Sequence, residues 1–207
     1  DRRSCPFLMK LLLEIPLNRL SFGNVSYNVV RELHRLGADI GIFPIGENID
    51  LSAFDLTEEL KTYIEDAINN RWAFLKPEIP CLKLWHLNGS ENRKNKDQYL
   101  FTFYECNQPT DQEVALCAHQ DLTFFSSKDA QKHFQTKGVE NTKVIPLGFD
   151  EDFYRTEKPY LKDVVHFGLM GKYESRKHTQ KIIKTWLNKY GNNNKYQLSC
   201  CITNPFF

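Results

Sequence analysis

The first 45 residues contain a buried strand, an amphipathic helix and a second buried strand in immediate succession. Lys10–Ile15 is a short apolar run followed by Pro16, which is typical of a parallel strand buried on both faces. Apolar residues then recur at spacings of 4, 4 and 3, which predicts one face of a helix, and Gly37 is placed to end it. Ala38–Ile45 predicts the second strand. Such a β-α-β unit begins a doubly wound α/β fold. The apolar residues on the predicted helix face are Val25, Val29, Leu33 and Leu36.

The same alternation continues to about residue 146. A helix is predicted near residues 57–70, with Asp55 and Glu58 as its capping box. Thr110 and Glu113 predict a second capping box, and Ser127 caps a further helix that ends at Gly138. The pattern therefore predicts a Rossmann-like, doubly wound parallel sheet. Its remaining strands are predicted over Cys81–His86, Gln98–Tyr104, Leu122–Phe125 and Lys143–Pro146.

A second, shorter domain is predicted after a charged stretch at Glu151–Asp163, which suits a linker. Val164–Phe167 predicts a strand, Lys177–Tyr190 a helix and Tyr196–Ile202 another strand. We therefore assign residues 9–157 to an N-terminal domain and 158–207 to an incomplete second one. Because Met9 stands where the first strand begins, residues 1–8 are expected to be non-native.

Composition limits the classes of partner. The formal net charge is +1, from 27 basic and 26 acidic residues, which gives no general argument for nucleic acid or an anionic membrane. The charge is uneven, since His166–Phe207 holds seven Lys or Arg and a single acid, Glu174. We expect an anion to bind in this segment.

The cysteines and apolar runs indicate a reduced, cytoplasmic protein. The six cysteines are scattered without a C-x-x-C pair, and no apolar run approaches the roughly 20 residues of a membrane helix. The six histidines form no ligand cluster, and there is no P-loop or G-x-S-x-G motif. We predict no metal site, no cofactor and no transmembrane segment.

Three stretches together resemble glycosyltransferases of the GT-B fold, family 4 or group 1 type. They are SFGNVSYNVVRELHRLGADIGIF, DLTFFSSKDAQKHFQTKGVENTKVIPLGFDEDFY and VVHFGLMGKYESRKHTQKII. The resemblance implies an acceptor-side domain, the first β-α-β unit of a donor-side domain, and retaining, metal-independent transfer from a nucleotide sugar. The acceptor is then a hydroxyl of a glycan, a lipid-linked molecule or another compound. The later donor-site residues are expected to lie beyond Phe207, so the chain is expected to be inactive.

Arg176 and Lys177 are the candidate donor-diphosphate residues. Fixed cations beside a departing diphosphate stabilise the transition state, and the start of a predicted helix adds backbone N–H donors. Gly168 and Gly171 flank the predicted turn after the preceding strand, where a phosphate can approach the backbone. A solvated basic helix face and ordinary turn glycines are the alternatives. His178 stands where the family commonly has glycine.

The acceptor side offers four further candidates. Gly23 and Asn24 lie in the predicted first loop, where the resemblance implies contact with the cleft. Asn24 can also serve as a simple helix cap. His86 ends one predicted strand and Glu105 follows another, at the sheet edge where doubly wound folds bind ligands, and both are candidate catalytic residues. A hydrogen-bonded loop histidine and a surface carboxylate are the alternatives.

Two other functions remain open from the sequence. A Rossmann-type NAD-dependent oxidoreductase shares the fold class, although the first loop lacks G-x-G-x-x-G. A non-catalytic GT-B-like binding domain would keep the fold without the chemistry.

Overall fold

The computed structural model describes residues 9–46, 48–149 and 161–203. The chain forms two compact units, Asp1–Gly148 and Phe149–Phe207. The predicted domain boundary at 157/158, the proposed non-native residues 1–8 and most of the predicted linker lie outside the described residues.

The first unit contains one parallel sheet of six strands with helices on both faces. The strands are β1 (Lys10–Ile15), β2 (Asp39–Pro44), β3 (Cys81–Leu84), β4 (Gln98–Thr102), β5 (Leu122–Phe125) and β6 (Thr142–Val144), in the order β2-β1-β3-β4-β5-β6. The helices are α1 (Ser21–Arg35), α2 (Glu58–Asn69), α3 (Asp111–His119) and α4 (Lys128–Gln135). This arrangement confirms the predicted Rossmann-like α/β fold.

Adjacent residues of β1 point into different cores, as a strand buried on both faces requires. Leu13 packs with residues of α1 and α2, whereas Leu12 packs on the other face with Phe74, Ile79 and Cys81. Both leucines are fully buried. A third cluster joins β4 and β5 to α3 and α4.

The helix ends follow the sequence pattern in most places. Thr110 and Glu113 form the predicted capping box, and the hydroxyl of Ser127 accepts a hydrogen bond from the Ala130 N–H. The predicted cap of α2 is wrong by two residues. Thr57 accepts the hydrogen bond from the Leu60 N–H, while the carbonyl of Asp55 accepts one from the Tyr27 hydroxyl.

The second unit contains two parallel strands and one α-helix in its described part. These are β7 (Val165–Lys172), α5 (Thr179–Tyr190) and β8 (Tyr196–Thr203). The helix packs on the sheet through a group of aromatic rings. Across both units, the described part of the chain contains no helix with the length and apolarity needed to cross a membrane. The aromatic group is Phe167, Trp186, Tyr190 and Tyr196.

Candidate functional site

The strand order changes direction between β1 and β3. The chain leaves β1 through α1 to reach β2 on one side, whereas β3 pairs with β1 on the other side. In open parallel sheets, ligands bind beyond the carboxyl ends of the strands at such a switch point. The candidate site in the first unit is therefore bordered by the segment after β1 and by the residues that follow β3.

The segment after β1 leads into a helix without a side-chain cap. Leu20 is the N-cap residue of α1, and its own N–H donates to Oδ1 of Asn18 at 2.9 Å. The first-turn N–H groups therefore have no N-cap side chain as acceptor. An uncapped helix N-terminus at a switch point suits an anionic or hydroxyl-bearing ligand.

The structure corrects the position of Gly23 and Asn24. Both lie in the first turn of α1 and not in a loop, because the helix begins at Ser21. Gly23 is buried, and a Cβ there would lie 1.9 Å from the carbonyl oxygen of Asn18. Close packing of the preceding loop accounts for this glycine. Asn24 is exposed and caps nothing; its backbone and side-chain oxygens both accept from Nδ2 of Asn28.

His86 is exposed two residues beyond β3, at the predicted edge. Its ring meets that of Phe22 edge-on, with centroids 4.5 Å apart, and lies 5.3 Å from the ring of Trp85. Phe22 also stacks on Phe103, which follows β4. Within the described residues, His86 has no hydrogen-bond or ion-pair partner, so both ring nitrogens are available to a ligand. Its catalytic role stays a prediction.

Glu105 is exposed three residues beyond β4. The neighbouring residue Tyr104 is more constrained, since its hydroxyl donates to Oε2 of Glu113 at 3.4 Å. Burial, followed by the Glu113 carboxylate, raises the pKa of Tyr104 to about 12. Tyr104 is therefore a stable hydrogen-bond donor beside Glu105. The structure assigns Glu105 no partner among the described residues.

In the second unit, Gly168 and Gly171 lie inside β7 and not in a turn after it. The sequence-based prediction ends this strand too early, because glycine is common in turns, whereas β7 keeps its pairing with β8 through Lys172. Gly171 has φ of 133°, and a Cβ there would lie 3.9 Å from Nζ of Lys177. The Lys177 side chain therefore lies beside Gly171 near the carboxyl end of β7, at a distance that a Cβ would also allow, and it is the positive φ that favours glycine there.

Arg176 and Lys177 lie before α5 and do not form its first turn, whereas the sequence predicts that Lys177 begins the helix. They belong to the 3-10 turn Ser175–Lys177, which ends at His178 with φ of 52°, and α5 then starts at Thr179. The Arg176 Nε lies 2.8 Å from Oε2 of Glu174, so its charge is partly compensated. His178 is the N-cap of α5 and makes no side-chain capping bond.

One ionic cluster escaped the sequence-based prediction. Nζ of Lys83 lies 3.3 Å and Nζ of Lys94 3.6 Å from Oε1 of Glu14, and the Lys83 side chain is 3% exposed. The other Glu14 oxygen is buried without a hydrogen-bond partner. The sequence does contain a signal for this cluster, because each of two apolar strands holds one charged residue, Glu14 in LLLEI and Lys83 in CLKL.

An open depression of about 620 Å³ lies along residues 51–57, and no predicted site residue lines it. Among the described residues, no group of three or more His, Cys, Asp or Glu side chains is placed to hold a metal ion. The five described cysteines are free thiols. Compared with known proteins, the chain matches no family model, no curated protein and no solved structure.

Proposed function

We propose that the chain belongs to a glycosyltransferase of GT-B type that moves a sugar from a nucleotide-sugar donor to an acceptor hydroxyl. The first unit would bind the acceptor and the second the donor. The acceptor oxygen attacks the anomeric carbon, the bond from that carbon to the diphosphate breaks, and its electron pair leaves with the phosphate. Retention and metal independence rest on the resemblance to family 4 type enzymes.

The observation that carries this proposal is the position of Lys177. Its ammonium group lies beside Gly171 at the carboxyl end of β7, close in sequence to the uncapped N-terminus of α5. A leaving diphosphate gains negative charge, which a fixed ammonium and free helix N–H groups stabilise more than they stabilise the bound donor. Because the Glu174 carboxylate partly neutralises the charge of Arg176, Lys177 offers a diphosphate the less compensated positive charge of the two.

His86 is the group best placed to interact with the acceptor hydroxyl. Its ring is held on one side by Phe22 and Trp85, while its nitrogens have no protein partner among the described residues. A neutral imidazole nitrogen can accept the hydroxyl proton as the oxygen attacks. Glu105 is retained as a second candidate for orienting that hydroxyl.

Calorimetric titration of the 207-residue chain with UDP and GDP tests the donor site. We expect diphosphate binding that Lys177→Gln weakens about tenfold, because charge-assisted hydrogen bonds contribute about 1.5–3 kcal/mol. The control is Lys184→Gln, which removes an exposed lysine of α5 and leaves affinity unchanged. Equal affinity in Lys177→Gln and the parent chain would overturn the proposal. Binding of NADH with enhanced fluorescence, and no binding of either diphosphate, would favour the oxidoreductase instead.

A further inference from the structure

An exposed tryptophan stands among cations on the face of the six-stranded sheet opposite α1. Trp72 is 64% exposed and meets the ring of Phe43 edge-on, with centroids 5.0 Å apart. The guanidinium of Arg71 lies 5.3 Å from the Trp72 centroid and 5.5 Å from that of Phe43. Lys94 places its ammonium 4.7 Å from the Phe43 ring. We name Phe43, Arg71, Trp72 and Lys94 the Trp72 patch.

The Trp72 patch has more positive charge than its carboxylates compensate. Lys94 shares Glu14 with Lys83, so two ammonium groups face one carboxylate. Arg71 has no carboxylate within ion-pair distance among the described residues, and its Nη1 donates to the carbonyl of Ile68.

The patch also lies where ligands enter this fold class. Phe43 and Glu14 are the penultimate residues of β2 and β1, and Lys83 is the penultimate residue of β3. All three are therefore near the carboxyl edge of the sheet. Phe43 packs with the core cluster that contains Leu12 and Phe74, whereas Phe22, which contacts His86, belongs to the core on the other face.

We propose that the Trp72 patch binds a free nucleoside phosphate. The base stacks on the exposed indole, and the phosphate lies against Lys94 and Arg71. A rigid exposed aromatic ring accepts a planar base through stacking, and arginine and lysine are the usual phosphate donors. The combination of ring and cations selects a ligand that is both aromatic and anionic. This inference does not depend on the proposed transferase activity.

Calorimetric titrations in the Lys177→Gln background separate this site from the donor site. We expect AMP or UMP to bind more tightly than adenosine, uridine or inorganic phosphate, with an affinity that falls as salt is raised. Trp72→Ala is expected to weaken nucleotide binding by about fivefold to a hundredfold, the range that stacking on one aromatic ring supplies. Trp72→Phe retains a stacking surface and most of the affinity. Lys94→Gln is expected to weaken AMP binding by about tenfold or more and to leave adenosine binding unchanged.

The controls are Leu36→Ala, at another exposed apolar side chain, and Lys132→Gln, which removes an exposed lysine far in sequence from the half-buried Lys94. Both should bind AMP as the Lys177→Gln chain does. Thermal unfolding of each variant checks that the fold is retained, and Lys94→Gln supplies the comparison if Trp72→Ala unfolds. Inorganic phosphate binding as tightly as AMP, unchanged affinity in Trp72→Ala and Lys94→Gln, or a marked preference for single-stranded RNA over AMP would each overturn the proposal.

Discussion

Lys83 of β3 places its ammonium nitrogen 3.3 Å from Oε1 of Glu14 in the adjacent strand β1, and the parallel register pairs the same two residues. The Lys83 side chain is 3% and the Glu14 side chain 13% exposed, so the pair lies inside the fold. Loss of Lys83 leaves Glu14 paired with Lys94, whereas loss of Glu14 leaves the Lys83 ammonium buried without its carboxylate partner. That cost is large even where the intact pair adds little net stability.

Glu14→Leu is therefore expected to lower the free energy of unfolding by about 3 kcal/mol. The double variant Glu14→Leu with Lys83→Met removes both charges and should recover at least half of that loss. Urea denaturation of the parent, the two single variants and the double variant gives the coupling energy. Strictly additive effects would show that the two side chains do not interact.

Gly23→Ala is expected to destabilise the first unit by about 1–3 kcal/mol, because the new Cβ overlaps the Asn18 carbonyl at 1.9 Å and the loop must shift. Gly148→Ala is the matched control, since nothing lies within 4 Å of a Cβ there. Thermal unfolding of both variants makes the comparison. Equal melting temperatures would mean that the loop after β1 can move away from the new Cβ without a loss of stability.

Thr57→Ala is expected to cost about 1 kcal/mol, because it removes the acceptor for the Leu60 N–H at the start of α2. Asp55→Ala should cost much less, since Asp55 contributes a backbone carbonyl to the Tyr27 hydroxyl. Chemical denaturation of both variants distinguishes the two residues. A larger loss of stability in Asp55→Ala than in Thr57→Ala would show that Asp55 caps α2, as predicted from the sequence.

Stability should fall as the pH rises above 9. Burial raises the pKa of the Cys81 thiol from 9.0 to about 12 and that of Cys117 to about 11. Below pH 9 both thiols are protonated in the folded and unfolded states. Between pH 9 and the folded pKa, only the unfolded state releases these protons, which favours unfolding by about 1 kcal/mol per thiol at pH 10.

Urea midpoints at pH 8 and pH 10 measure that loss. Cys81→Ala should reduce the difference between the two midpoints, even though its own cavity lowers both of them. Cys106→Ala, at an exposed thiol, should leave the difference unchanged. The linkage would be refuted by a midpoint difference that is the same in Cys81→Ala as in the parent.

The sequence predicted those elements whose signal is local. Lys10–Ile15 and Leu122–Phe125 are apolar runs, and the structure gives them the same bounds. Gly37 and Gly138 follow α1 and α4 with φ of 68° and 87°, a conformation that glycine adopts without strain. The fold class follows from the order of such elements, since a parallel sheet needs a helix between its strands.

Features set by packing were not predictable from local patterns. Gly168 and Gly171 were interpreted as a turn, but pairing with β8 keeps both in a strand. Gly23 is predicted in the first loop, whereas it lies in the first turn of α1 with the Asn18 carbonyl packed against it. His86 was located correctly because the end of a strand is a local property, but its contact with Phe22 depends on how α1 packs. The pairing of Lys83 with Glu14 needed the strand register.

The position of β1 between β2 and β3 also affects the order in which the protein can fold during synthesis. After Pro44 has been made, β1 and β2 can pair, but the other edge of β1 has no partner until Leu84 is added. At about 5–20 residues per second, that interval lasts about 2–8 seconds. During this time an apolar strand edge is open to other chains, and such edges promote aggregation. A chaperone that covers this edge during that interval should therefore raise the yield of folded protein.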